Sequence, residues 1–164
     1  MLFRSYVANL NEMIESKQFA ELIRIAEGLH EKKIVEIADL IKEKKKRIIL
    51  IAGPSSSGKT TFAQRLSIQL KVNALKPVSI STDDYFVDRE HTPKDETGDY
   101  DFEAIEAVDV ALFNEHLTRL IKGEEVEIPS FNFIKGEREY IGKKLRVTDE
   151  QPIIIEGIHG LNEK

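Results

Sequence analysis

The chain contains no cysteine in its 164 residues. Disulfides, thiolate nucleophiles and cysteine-ligated zinc are therefore excluded. No apolar run approaches the roughly 20 residues that span a bilayer. The opening Met1-Leu2-Phe3-Arg4 turns polar too quickly for a signal peptide. A surplus of positive charge is also missing. The net charge is −5, so no nucleic-acid partner is expected. The one basic run, residues 42–47, is interrupted by Glu43. It suits the end of a helix, where cations meet the negative pole of the helix dipole. No internal repeat or low-complexity tract occurs. These absences predict a cytoplasmic protein with no membrane partner. The length leaves room for one domain with a true core. Assembly into a homo-oligomer stays open.

What is present is an alternation of helical and strand patterns. Residues 5–46 read as helical throughout, with Leu22, Ile25, Ala26 and Leu29, then Ile34, Ile37, Ala38 and Ile41, at helical spacing. Gly28 is a candidate break between two helices. Residues 47–52 read as a buried strand, 77–81 as a second and Ile153-Ile154-Ile155 as a third. A polar loop from 83 to 101 is predicted to precede a helix over 102–122. Residues 126–147 read as short strands and turns. The expected class is α/β, a P-loop NTPase-type parallel sheet with flanking helices, preceded by a helical N-terminal segment. The expected division is 1–46 as helical segment or linker and 47–164 as the core.

Chemistry is concentrated between the first strand and the helix that follows. Residues 53–60 are Gly-Pro-Ser-Ser-Ser-Gly-Lys-Thr, meeting the pattern G-x-x-x-x-G-K-[ST]. Gly53 and Gly58 let the backbone approach phosphate oxygens closely. Successive N–H groups from Ser55, Ser56 and Ser57 onward to Thr61 line the turn, while Pro54, which has no N–H, fixes φ. The helix starting near Lys59 adds the positive end of its dipole. Lys59 is placed to reach the β- and γ-phosphates, and Thr60 to ligate Mg²⁺. The expected donor is ATP or GTP.

Phosphoryl transfer also requires a carboxylate near the metal and a base for the acceptor. Asp83 and Asp84 follow the second strand directly, and Glu156 ends the third. In a doubly wound sheet these strand ends meet in one crevice. Asp83 is the candidate base, with Thr60, Asp83 and Glu156 as the metal set. Asp83 and Asp84 would equally serve as a cap or turn. Tyr85 and Phe86 suit a core as well as a pocket, and Asp101 would serve as the N-cap of the next helix. Arg138 suits a solvated hairpin, and His159 a structural role. A switch that uses water as acceptor is the alternative to a small-molecule kinase.

The order of Gly53 to Thr60, Ser81-Thr82-Asp83-Asp84-Tyr85-Phe86, Tyr100-Asp101-Phe102-Glu103, Ile128-Pro129-Ser130-Phe131-Asn132-Phe133 with Arg138, and Ile155-Glu156-Gly157-Ile158 resembles the uridine kinase and phosphoribulokinase group of P-loop kinases. The N-terminal segment is similar to the linker of bacterial uridine kinase-like proteins with a threonyl-tRNA-synthetase-like N-terminal region. The resemblance implies transfer of a phosphoryl group to a hydroxyl of a small molecule, a nucleoside or sugar-like alcohol. It implies Asp83 as the catalytic aspartate, with Lys59 beside it. Asp84, Tyr85, Phe86, Glu103, Phe131 and Arg138 are then the acceptor side. Two positions depart from the group's pattern. Phe131 stands where a tyrosine is common, and Lys135-Gly136 where a histidine is expected. The group's chains also continue into an arginine-bearing lid and an adenine-binding segment, so this chain is expected to be a fragment, weak in binding and turnover by itself.

Overall fold

A computed structural model describes residues 7–160, with side chains from Leu10 onward. Helix α1 covers Val7–Glu15 and α2 covers Phe19–Glu43. Strand β1, Ile48–Ala52, leads through the glycine-rich loop into α3, Lys59–Val72. Strand β2 is Val78–Ser81, and α4 is Val110–Ile121. Four short strands follow: β3 Val126–Glu127, β4 Ser130–Asn132, β5 Glu137–Glu139 and β6 Lys144–Leu145. Strand β7, Ile153–Gly157, returns to the main sheet.

The main sheet is parallel in the order β1-β7-β2. Its centre is β7, and the alternation of side chains along that strand divides the interior in two. Ile154 points into a cluster with Ile34, Ala38 and Ile41 of α2 and Ala63, Leu66 and Leu70 of α3. Ile153 and Ile155 point the other way, toward Ile80, Tyr85, Phe86, Val108, Leu120 and Phe131. A strand buried on both faces must be apolar at every position, which accounts for three consecutive isoleucines. The hairpin β4–β5 and the pair β3–β6 are antiparallel and lie beside the second cluster. The α/β parallel sheet with flanking helices agrees with the sequence expectation.

Two boundaries differ from it. Gly28 lies within α2, and the break falls at residues 16–18, where Lys17 has φ +60°. The helix expected from residue 102 begins eight residues later. Residues 104–109 instead lie against the segment after β2. Val87 N–H donates to Ala107 O and Asp109 N–H to Tyr85 O, both at 2.9 Å. Asp109 then caps α4, its Oδ1 accepting from Leu112 N–H at 3.0 Å. Asp101 is not that cap. Its Oδ1 accepts from the N–H groups of Glu103 and Ala104 in a separate turn. The basic run closes α2 as anticipated, with Lys46 N–H returning to Ile41 O at 3.0 Å.

Two glycines should respond oppositely to alanine. A Cβ at Gly157 would lie 1.7 Å from Thr82 Oγ1, while at Gly28 it would meet nothing within 4 Å. Gly157→Ala is expected to lower unfolding free energy by about 1–3 kcal/mol. Gly28→Ala, in an exposed helix interior, should raise it by about 0.5–1 kcal/mol. Urea titration of both variants checks the two signs.

Candidate active site

The register of the sheet aligns three strand ends. Ala52 pairs with Gly157, and Ser81 with Glu156. The residues that follow β1 and β2 therefore open onto the same edge as Glu156. Gly53 starts the phosphate loop, and a Cβ there would come within 2.9 Å of Ser57 Oγ, so the turn is closed tightly. Ser57 N–H donates to Pro54 O at 3.3 Å, and Ser56 takes φ +57°. Gly58 has φ +86°, a left-handed conformation that favours glycine, and leads directly into α3. Lys59 Nζ folds back over the loop to Pro54 O at 2.9 Å. Ser55 lines the crevice beside Lys59. Thr61 lies on the opposite flank of the loop.

Thr60 Oγ1 donates to Glu156, with its two carboxylate oxygens at 2.9 and 3.0 Å. A hydroxyl and a carboxylate so placed beside a phosphate loop fit Mg²⁺. That ion takes one or two protein oxygens and completes its octahedron with phosphate and water.

Asp83 lies in the turn Thr82–Tyr85, capped by Ser81, whose Oγ accepts from Asp83 N–H at 3.3 Å. Burial pushes the Asp83 carboxyl above its usual range, only partly opposed by the Lys59 charge. Asp84 is raised by burial too, and Lys143 Nζ stands 3.7 Å from its carboxylate. Asp83, Lys59, Ser55, Phe86 and Glu103 line one cavity of about 550 Å³. Tyr100, Phe102 and Phe133 form much of its remaining wall.

Several expected acceptor residues lie elsewhere. Tyr85 is fully buried and does not line the cavity. Its hydroxyl meets His116 Nδ1 at 3.2 Å, and its ring packs edge-on to Phe113. Burial raises the Tyr85 hydroxyl and lowers the His116 imidazole, in both cases disfavouring the charged form. Phe131 is buried behind the cavity, edge-on to Phe86 at 5.6 Å and Phe133 at 5.0 Å. Arg138 Nη1 bonds Asp109 Oδ2 at 2.9 Å, which joins β5 to the start of α4 and keeps the guanidinium off the cavity. It is thus an ion-paired side chain rather than a solvated hairpin charge. Asp84 does not border the cavity either, being turned toward Lys143.

The sequence reading missed Phe133 and Tyr100 as wall residues. Phe133 is two residues from Phe131, a spacing that could have signalled that the pair belongs to one aromatic cluster. The Asp109–Arg138 pair had no local signal, since 29 residues separate its members.

The sequence profile described as "Phosphoribulokinase / Uridine kinase family" matches residues 48–164. The chain belongs to this family. It is 34% identical over 118 residues to a uridine kinase of Tolumonas auensis, covering 71% of this chain and 54% of that protein. It is 33% identical over 111 residues to a uridine kinase of Chloroflexus aurantiacus, covering 68% and 51%. The chain thus spans about half the length of the curated relatives it matches. A solved structure described as a possible uridine kinase from Bacillus stearothermophilus superposes with a TM-score of 0.61 at 23% identity. That match covers 80% of this chain and 73% of the other, and supports the P-loop kinase fold. The family match begins at β1, so α1 and α2 lie upstream of it.

The raised Asp83 carboxyl carries a stability consequence with a definite sign. A carboxyl whose folded pKa exceeds its unfolded value contributes most when protonated, below about pH 4, and that contribution is lost as pH rises through the raised value. Asp83→Asn should therefore melt higher than the parent at pH 7, with the gap closing toward pH 4. Thermal melts of both proteins at the two pH values check this. An equal gap at both would contradict it.

Proposed function

We propose that this chain carries the phosphoryl-transfer site of a uridine kinase-like enzyme. The donor is ATP or GTP, with Mg²⁺, and the acceptor is a hydroxyl of a nucleoside. The observation that carries this reading is the single cavity that brings Lys59 and Asp83 together with Glu103 and an aromatic wall. A switch that hydrolyses nucleotide needs no such wall beside its phosphate loop.

The loop N–H groups and Lys59 hold the donor phosphates and balance charge as it spreads over the transferred group. Thr60 and Glu156 would hold Mg²⁺, which would supply positive charge against the negative charge of the phosphates. Asp83 accepts the proton of the attacking hydroxyl. Its raised proton affinity, set by burial and partly opposed by the Lys59 charge, makes it a stronger base than a free aspartate. Phe86, Phe102 and Phe133 offer edges and faces to a planar base. Glu103 offers a carboxylate to sugar hydroxyls. Phe131 packs behind this wall against Phe86 and Phe133, whereas Asp84, Tyr85 and Arg138 do not line the cavity.

No helix among the described residues is long and apolar enough to cross a membrane. The proposed setting for this small-molecule kinase is the cytoplasm.

Asp83→Asn should leave ATP affinity nearly unchanged and lower nucleoside-dependent turnover by about 10²–10⁴-fold. Lys59→Ala should lose affinity and rate together. A coupled ADP-release assay over a panel of nucleosides and free sugars separates the outcomes. ATP consumption indifferent to every acceptor would point to the water-using switch. Chelating Mg²⁺ with EDTA should abolish turnover in the same assay.

A further inference from the structure

Helix α2 precedes the family match, yet it borders the phosphate loop. Ile34, Ala38 and Ile41 pack on α3, and polar contacts run along the same seam. Glu31 takes hydrogen bonds from Arg65 and, at 2.6 Å, from Gln69. Asn73 Nδ2 donates to Asp39 Oδ1 at 2.8 Å. These contacts hold α2 against the helix that begins at Lys59. His30 thereby sits beside Phe62, with ring centroids 6.3 Å apart and planes inclined by 34°. Arg65 Nη1 lies 3.4 Å from His30 Nδ1. A guanidinium only donates, so Nδ1 accepts and Nε2 keeps its proton.

A second cavity, about 490 Å³, lies between this pair and the loop, bordered by His30, Ala52, Ser57, Thr61 and Phe62. Its size falls within the roughly 300–1,000 Å³ of small-molecule sites. Lys59 borders both cavities, but the rest of their linings differ. Ser55 and Asp83 mark the first, Ser57, Gly58 and Thr61 the second. In an in-line transfer the terminal phosphate faces the base, Asp83. The remainder of the donor must leave the loop at the opposite end, toward the second cavity.

We infer that α2 contributes to the donor-nucleoside site, with His30 and Phe62 contacting the base or ribose of the bound nucleotide. This rests on the phosphoryl-transfer reading above. The Phe62 ring and Ala52 supply apolar surface, and His30 supplies a ring for stacking and an Nε2–H donor for a base or ribose acceptor.

Isothermal titration of ATP and of inorganic tripolyphosphate separates the two ideas. His30→Ala should weaken ATP by about tenfold, the effect of removing one base-stacking ring, and leave tripolyphosphate binding unchanged. His30→Phe, which keeps a stacking ring, should retain most of the ATP affinity. Unchanged ATP affinity in His30→Ala overturns the inference, as does an equal loss for both ligands. Lys59→Ala should lose both ligands. If it binds both as the parent does, the phosphate-loop reading itself fails, whatever His30 does.

Discussion

The parallel pairing of β7 with both β1 and β2 is the constraint on which the rest of the molecule depends. It sets Ala52 level with Gly157 and Ser81 level with Glu156. Those two pairings bring Thr60 to Glu156 and place the Asp83 turn beside the loop. A slip of one residue would exchange the faces of every side chain on β7. Ile154 would leave the α2–α3 cluster, and Glu156 would turn from Thr60 into an apolar layer. Burial of the isoleucines on both faces therefore enforces the register that the polar site needs.

The site is built from strained and desolvated parts on this rigid base. The loop holds Gly58 at positive φ and Ser56 in the left-handed region. Asp83 bears a carboxyl whose charged form is disfavoured by burial. Such costs are common where a group must be poised for proton transfer. They are offset by neighbours with no direct part in the chemistry. The buried Tyr85–His116 contact anchors the turn that carries Asp83, and Arg138–Asp109 ties the hairpin to α4. Against the burial that would raise it, Asp109 is held below its usual range by the Leu112 N–H and Arg138. Three of the six residues that the family pattern suggests for the acceptor side are thus buried or ion-paired, and a fourth, Asp84, faces Lys143.

Helix α2 is fixed against the helix of the phosphate loop along two seams. Its inner face supplies apolar packing, and its polar edge is bonded to α3 at Glu31 and Asp39. Both seams fix its position relative to Lys59, which begins α3. A helix attached by packing alone could slide by a turn. The paired side chains at defined spacing remove that freedom.

The phosphate loop, the three strands and the acids that end them were legible in the sequence. Each is a local signal: a glycine and lysine spacing, an apolar run, a charge abutting that run. The start of α4 was not legible, because long-range bonds from Tyr85 and Val87 hold residues 105–109 out of the helix. Nor were the buried state of Tyr85 and the pairing of Arg138, which depend on partners about 30 residues away. Phe133 and Phe131 look equivalent in sequence, and only the packing of the hairpin decides which one faces the cavity. The sequence by itself determined the chemistry available, since that follows from residue type and short spacing. The tertiary structure alone decided which residues meet, because that follows from how two faces of one central strand are covered.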